Sequence, residues 1–356
     1  MNGLYARIFE QKDLAGIDKC VLSGLESSIY QTSAWTVFLS RLDGFKPCHI
    51  VVRDGPEIRG VLPLFQVSRF PLGSKLISVP FDMSSGGPVS DSPETEAVLF
   101  SHAAELAREL KVRYIEIRTP GRMDSAIKAG FREVATFSWA KIPLISEDEN
   151  FGMLDKGRRT ELNKFKRSGI IIHCDPRAVK LKEYYDLVLG PHFRRKGTPL
   201  PSLEYYEAMR DAVLGFNPTG SVLVYAESDG RMIGGGLMLC AGGSVVLKVL
   251  AVDKDFMRTG VGTAIVWECI KYGISKGYPI LNYGIADNTR SGQAHFKTDM
   301  GSQILEGFAY IMAVTGKPVM LSDFSEGKTS LARNIWRMTP GLITDRLGPA
   351  VINWLC

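Results

Sequence analysis

Apolar positions recur along this chain with two periods, and stretches of each alternate. Alternating or continuous short apolar runs, which suit strands, fall at Leu4 to Phe9, His49 to Arg53, Ile58 to Val67, Lys75 to Val79, Tyr114 to Ile117 and about Val222 to Val252. Spacings of three and four, which place apolar residues on one helix face, fall near Asp13 to Leu22, Glu105 to Leu110, Val179 to Leu189, Ser202 to Val213 and Gly260 to Ser275. Another helix is expected after Thr32-Ser33, where a hydroxyl can cap the amides ahead of Trp35, Phe38 and Leu39. The most apolar stretch, Val245 to Val252, is interrupted by Lys248 and reads as a buried strand.

The order of these elements is written twice. Val51 to Leu62 surrounds Asp54-Gly55, and Val224 to Leu237 surrounds Asp229-Gly230, each a strand, a tight turn and a second strand. A helix, a strand, a short polar helix ending at glycine and a closing strand follow in both halves. From Asp54 to Gly130 is 76 positions, and from Asp229 to Gly301 is 72. Tandem copies of one domain explain this most simply. The polar, acidic run Ser146 to Asn150 marks the boundary. The expected units are therefore 1–145, 146–316 and a helical tail, 317–356, whose Ile343, Leu347, Val351 and Trp354 share a face that packs on the body. Peripheral membrane contact through Trp336 and Trp354 is the alternative for the tail.

A length of 356 residues suits two cores, and 45% hydrophobic with 23% charged residues is a globular composition. No apolar run approaches the roughly 20 residues of a membrane span, and Met1 to Glu10 lacks the basic start and apolar block of a signal peptide, so a cytoplasmic location is expected. Cys20, Cys48, Cys174, Cys240, Cys269 and Cys356 show neither CxxC spacing nor zinc-like pairing with His, and read as buried apolar residues; no metal is expected. The net charge of +5 is mild but uneven. Lys156 to Arg167 holds six cations in twelve residues, and Arg194-Arg195-Lys196 forms a second knot. These clusters suit phosphate oxygens, or else form solvated helix faces. They lack interleaved aromatics, which argues against DNA.

Taken in order, the pieces resemble a known family. Tyr30-Gln31-Thr32-Ser33-Ala34-Trp35, Gly60-Val61-Leu62-Pro63-Leu64, Gly73 to Pro80 with Gly86-Gly87, Leu154 to Gly169, Arg194 to Pro199 and Phe296-Lys297-Thr298-Asp299-Met300-Gly301 are similar to segments of the FemAB-like acyl and aminoacyl transferases. That resemblance implies an α/β fold, strictly α+β with mixed sheets, of two tandem GNAT-like domains, and activity on a peptidoglycan or other cell-envelope precursor. It implies Phe296 and Lys297 at the aminoacyl end as catalytic residues. It further implies Arg159, with Arg158 and Arg195, on the diphosphate of a nucleotide-linked or lipid-linked acceptor, and Trp35, Tyr283 and Asp287 as further substrate-binding residues. Asn163 departs from the basic residue many relatives carry, which leaves the identity of the anion open.

Acyl transfer by direct attack needs two substrates held close and a stabilised oxyanion, with no covalent nucleophile. The chain fits that requirement, because no GxSxG elbow is present. Lys297 is then the cation near the reacting carbonyl, unless Phe296 is core and Lys297 only reaches from a helix to water. A proton acceptor is wanted, and Asp287, Asp299 and His295 remain open candidates. No cofactor is required; the donor is either an acyl-CoA or an aminoacyl-tRNA. Met257-Arg258-Thr259-Gly260-Val261-Gly262-Thr263 keeps the glycines, Gly260 and Gly262, of a CoA pyrophosphate loop but has Met257 in place of Gln or Arg. A CoA-dependent N-acetyltransferase and a catalytically silent precursor-binding module are the rival readings.

Overall fold

The computed structural model describes residues 3–24, 27–69, 73–80, 86–286 and 291–316, together with 336, 338, 339, 347, 348 and 351. Among these, the strands form two sheets. The smaller runs Tyr5–Ile8, Ile50–Asp54, Glu57–Leu62, Val89–Ser90. The larger has eleven strands, in the order Ile171–Asp175, Ser221–Ser228, Arg231–Ala241, Ser244–Val252, Ile280–Ile285, Arg132–Pro143, Gln303–Ala313, Tyr114–Thr119, Gly73–Ile77, Phe65–Arg69, Phe45–Pro47. The fold is mixed α/β, as the alternating periods predict.

Both predicted hairpins form. Gly55 and Gly230 have φ of 56° and 74°, and Asp229 has φ 51°, the left-handed values that a two-residue hairpin turn demands. The run expected as one strand from Ile58 to Val67 is broken into Glu57–Leu62 and Phe65–Arg69, which lie in different sheets. Pro63 has no N–H to give to a ladder. The break is sealed by His49: Leu64 N donates to its Nδ1 at 3.1 Å, so the proton sits on Nε2, 2.7 Å from Thr36 Oγ1. The helix Ser33–Ser40 forms as expected, but its start is held by Asp18 from the preceding helix, which accepts from Ser33 N at 2.7 Å and Ser33 Oγ at 2.5 Å.

The halves are interwoven. The closing strand of the first half, Arg132–Pro143, pairs with Ile280–Ile285 of the second, and the closing strand of the second, Gln303–Ala313, pairs with Tyr114–Thr119 of the first. The two closing strands also pair with each other from Gln303↔Lys141 to Ile311↔Arg132. One hydrophobic cluster joins Trp35 and Phe38 to Tyr184, Tyr205 and Leu237, with the Phe38 and Tyr205 rings 5.0 Å apart. Cys48, Cys240 and Cys269 are buried free thiols, as expected, whereas Cys174 is exposed on the edge strand Ile171–Asp175. Of the tail, Gly348 approaches the backbone of Leu200; Ile343 and Trp354 lie outside the described residues. No described helix is long and apolar enough to cross a membrane.

Candidate active site

The strand Ser244–Val252 runs parallel to Ile280–Ile285, and the two are paired only at Val245↔Leu281 and Val246↔Asn282. Beyond that point Ile280–Ile285 follows its other neighbour, reaching Ile285↔Trp139 through an irregularity after Asn282. Gly284 permits the kink, with φ +73°. Lys297 fixes it: its Nζ donates to the carbonyls of Tyr283 and Ile285, both at 2.6 Å. On the opposite side Leu237↔Val249 is followed by Met238↔Leu247, so Lys248 is the extra residue of a β-bulge. Two kinked strands therefore diverge and leave a cleft of about 920 Å³ between them.

The cleft passes from one face of the sheet to the other. On the face of the helix Val261–Ser275 it is lined by Arg158, Glu161, Gly260, Gly262, Phe296 and Lys297, and on the other by Tyr30, His192, Lys196 and Lys248. Among the described residues, four cations, Arg158, Lys196, Lys248 and Lys297, stand on its walls against one carboxylate, Glu161. Such walls raise the local concentration of an anion.

Arg158 is braced rather than free. Its guanidinium lies 4.6 Å from the centre of the Phe296 ring and donates to Glu161 Oε2 at 2.9 Å and Asp299 Oδ2 at 3.0 Å. Burial disfavours its charge, but the bonds to Asp299 and Glu161 outweigh this and raise its pKa. Glu161 also accepts from Thr263 Oγ1 at 2.5 Å, at the first turn of the helix Val261–Ser275. Gly260 precedes that helix with φ +85°, and a Cβ there would lie 2.7 Å from the Glu161 carbonyl oxygen. Close helix packing therefore already requires Gly260. Gly262 would meet only ordinary contacts, 3.7 Å from Val252 and 3.9 Å from Phe296.

The cleft thus gathers Phe296, Lys297, Arg158, Tyr283, Gly260 and Gly262. Other sequence candidates lie elsewhere. Arg159 is half-buried on the helix Lys156–Phe165 and does not line the cleft; Arg195 is exposed and lines a smaller cavity of about 610 Å³ with Arg194 and Arg231. Trp35 is fully buried in the shared core, because its helix turns it inward against Tyr30 and Phe38. Asp287 lies outside the described residues. Of the other proton acceptors considered, Asp299 is held by Arg158 and His295 is exposed.

Sequence reasoning missed Lys248, Lys196, Tyr30 and His192 on the cleft wall. Lys248 did show a signal, as the single charge inside the most apolar run, but its meaning depended on the bulge. His192 gave none. Its pKa is pushed down to about 4 by burial, then by Lys196 and Arg195, and its ring bonds to the Val252 backbone. A neutral imidazole thereby ties the helix Gly190–Lys196 to the diverging strand.

Residues 156–298 match the model of the acetyltransferase (GNAT) domain family. By sequence, no curated protein matches the chain. By structure, it is similar to FemX (TM-score 0.72, 15% identity, 87% of this chain and 98% of the other). It is also similar to the C-terminal domain of a putative lysylphosphatidylglycerol synthetase from Agrobacterium fabrum (TM-score 0.59, 13% identity, 94% and 96%). A third likeness is to a tandem GNAT protein from the clavulanic acid biosynthesis pathway (TM-score 0.55, 13% identity, 89% and 100%). The duplicated hairpins and the diverging parallel pair therefore belong to a tandem GNAT-like fold, similar to that of FemX, in which residues 156–298 match the GNAT domain model.

Proposed function

We propose that the chain is an acyltransferase that moves an aminoacyl or acyl group onto an amine of an anionic, phosphate-bearing cell-envelope precursor. The observation that carries this reading is the gap between Ser244–Val252 and Ile280–Ile285, open to both sheet faces and walled, among the described residues, by four cations and one carboxylate. The fold shared with FemX and with the domain of a putative lysylphosphatidylglycerol synthetase supports it.

The donor carbonyl enters from one face and the acceptor amine from the other. The amine nitrogen bonds to the carbonyl carbon, the carbonyl oxygen takes up negative charge, and collapse of that oxyanion breaks the bond to the leaving oxygen or sulfur. That leaving atom and the nitrogen settle the proton between them. Lys297, fixed by two carbonyls beside the kink, supplies positive charge where the oxyanion forms. Arg158 and Phe296 form the floor beside it. The only carboxylate lining the cleft among the described residues, Glu161, is held by Arg158 and Thr263. In the proposed reaction the amine enters as its free base, and the rate rises about tenfold per pH unit below the amine's own pKa.

One observation favours acyl-CoA as donor: Gly260 and Gly262 line the cleft at the start of a 15-residue helix. Another favours an aminoacyl ester, because Glu161 brings negative charge to that helix start, where a pyrophosphate would sit. Melting-point shifts with CoA, a UDP-sugar peptide and inorganic pyrophosphate, followed by transfer assays with acyl-CoA and aminoacyl-tRNA, separate the readings. Transfer from aminoacyl-tRNA to the UDP-sugar peptide is the expected result. A shift with CoA alone and transfer from acyl-CoA would replace the donor, and anion binding with no transfer from either donor would leave a silent binding module.

A further inference from the structure

On the cleft face away from the helix Val261–Ser275, the bulge residue Lys248 extends toward two rings of the first half. Its Nζ lies 5.5 Å from the centre of the Tyr30 ring and 5.5 Å from that of Trp35, which meet edge-on at 4.7 Å. Both rings are almost wholly buried, so the ammonium is held against a wall of low dielectric, where its field on a ligand is screened less than at an open surface.

The support for this wall is rigid. Tyr30 sits in a single 3-10 turn, Ile29–Gln31, closed by a capping box in which Ser28 N donates to Gln31 Oε1 at 3.0 Å. Gln31 Nε2 then donates to the Gly87 carbonyl at 2.9 Å. Just ahead of it, Ser27 is bonded to the hairpin turn that starts the bulged strand, accepting from Gly243 N at 3.0 Å and from Ser244 Oγ at 3.0 Å through its carbonyl. The rings of one half and the lysine of the other are therefore registered against each other. Lys196, from the helix Gly190–Lys196, lines the same side. Trp35 Nε1 is also buried with no hydrogen-bond partner among the described residues.

We infer that Lys248, with the Tyr30 and Trp35 rings behind it and Lys196 beside it, forms an anion subsite of the cleft, which holds a carboxylate or phosphate of the acceptor on the face opposite Lys297. The assignment rests on the transferase reading for the word acceptor, but the binding of an anion at Lys248 does not. The bulge sets Lys248 and Val249 side by side on the face of Val246, which is the face of Tyr30 and Trp35.

Trp35 is a built-in reporter, and the probes are inorganic pyrophosphate and glutarate, each titrated against the intact protein while tryptophan emission is followed. The expected result is a saturable change with at least one probe, weakened about tenfold or more in Lys248→Met, retained in Lys248→Arg, and unaltered in Lys182→Met, an exposed lysine paired with Asp186. A response to pyrophosphate alone assigns phosphate, and a response to glutarate alone assigns carboxylate. Trp35→Phe should remove the signal and leave binding measurable by calorimetry. No saturable response from the wild-type protein, or equal affinity in Lys248→Met, overturns the subsite. Should Lys248→Met lose its cooperative melt, the Lys248→Arg titration and the wild-type titration at rising salt decide instead: affinity insensitive to salt overturns it. None of these outcomes touches the transfer assay, so the subsite and the transferase reading fail separately.

Discussion

Among the described residues each half of the molecule contains one parallel strand pair, and only one of the two pairs opens. In the first half Gly73–Ile77 and Tyr114–Thr119 align at Leu76↔Ile115 and Ile77↔Glu116. The seam then stays shut, because Ser78 N donates to the Glu116 carbonyl at 3.1 Å and Arg118 N donates to Ser78 Oγ at 3.0 Å. Gly87 lies so close over it that a Cβ would stand 2.8 Å from Thr119 Cγ2. In the second half the aligned pairs are Val245↔Leu281 and Val246↔Asn282, and beyond them the cleft begins. The helices that follow differ in the same sense. Pro93–Glu109 begins with its own cap, Ser92 Oγ accepting from Thr95 N, and with Glu94 and Glu96 in its first turn. Val261–Ser275 begins at a bare glycine and receives Glu161 from another helix. The fold supplies two candidate sites, and side chains close one of them.

The hardest break of this comparison is to separate the halves. Both strands that shape the second half's sheet beyond Asn282 lean on Arg132–Pro143, so residues 146–316 expressed alone lose the neighbour that draws Ile280–Ile285 away from Ser244–Val252. We expect this fragment to show no cooperative thermal transition, a loss as large as the whole stability of a domain, roughly 5–15 kcal/mol. A sharp melt of the isolated fragment, with the pyrophosphate response intact, would show that the second half opens its cleft unaided.

Next in size is the closed seam. Arg118 Nη2 lies 2.5 Å from Glu116 Oε1, with both side chains less than a tenth exposed. Arg118→Met strands a buried carboxylate and should cost about 3–5 kcal/mol, read as a lowered melting point with turnover per folded molecule unchanged. In the open half, Lys297→Met should instead lower turnover roughly 100-fold. It should also cost roughly 1–3 kcal/mol, since two carbonyls at the kink lose their donor. A lowered melting point with full turnover would make Lys297 a clamp only, and a loss of turnover in Arg118→Met would mean that the closed seam is not silent.

How much of this was legible in the sequence follows from which features are local. Both Asp-Gly hairpins and the helix after Gly260 were readable because turn chemistry and helical period act over a few residues, whereas the Phe296-Lys297 pair came from the family resemblance and not from its local pattern. The strand exchange was not, because Val134 and Ile304 look alike as closing strands and nothing local says which half each will join. Trp35 carried a motif but not its burial, since the helix face it shares with Phe38 meets a core built largely from residues after 178. Arg159 and Arg158 are adjacent in a basic run, and only the helix phase sends Arg158 to the cleft. Lys248 interrupts an apolar run, yet its role depends on a one-residue register shift that no periodicity announces.

The smallest effect compares two histidines, one in each half, whose pKa values are both pushed down to about 4. For His49 the cause is burial; for His192 burial is joined by Lys196 and Arg195. His49 is neutral in the fold, while in the unfolded chain it takes up a proton near its usual value of 6.5. The unfolded state therefore binds the extra proton as pH falls from 6.5 toward 4. His49's full contribution to stability is present above that window and declines within it. Between pH 6.5 and 5 the loss should be roughly 2 kcal/mol, measurable by urea unfolding, and absent from His49→Gln. The half-exposed His192 contributes less. Its share should also shrink with added salt, which screens Lys196 and Arg195 but leaves the burial of His49 unchanged. Parallel acid slopes for wild type and His49→Gln would mean that the Pro63 break is wet, and that the first half is less tightly closed than its seam.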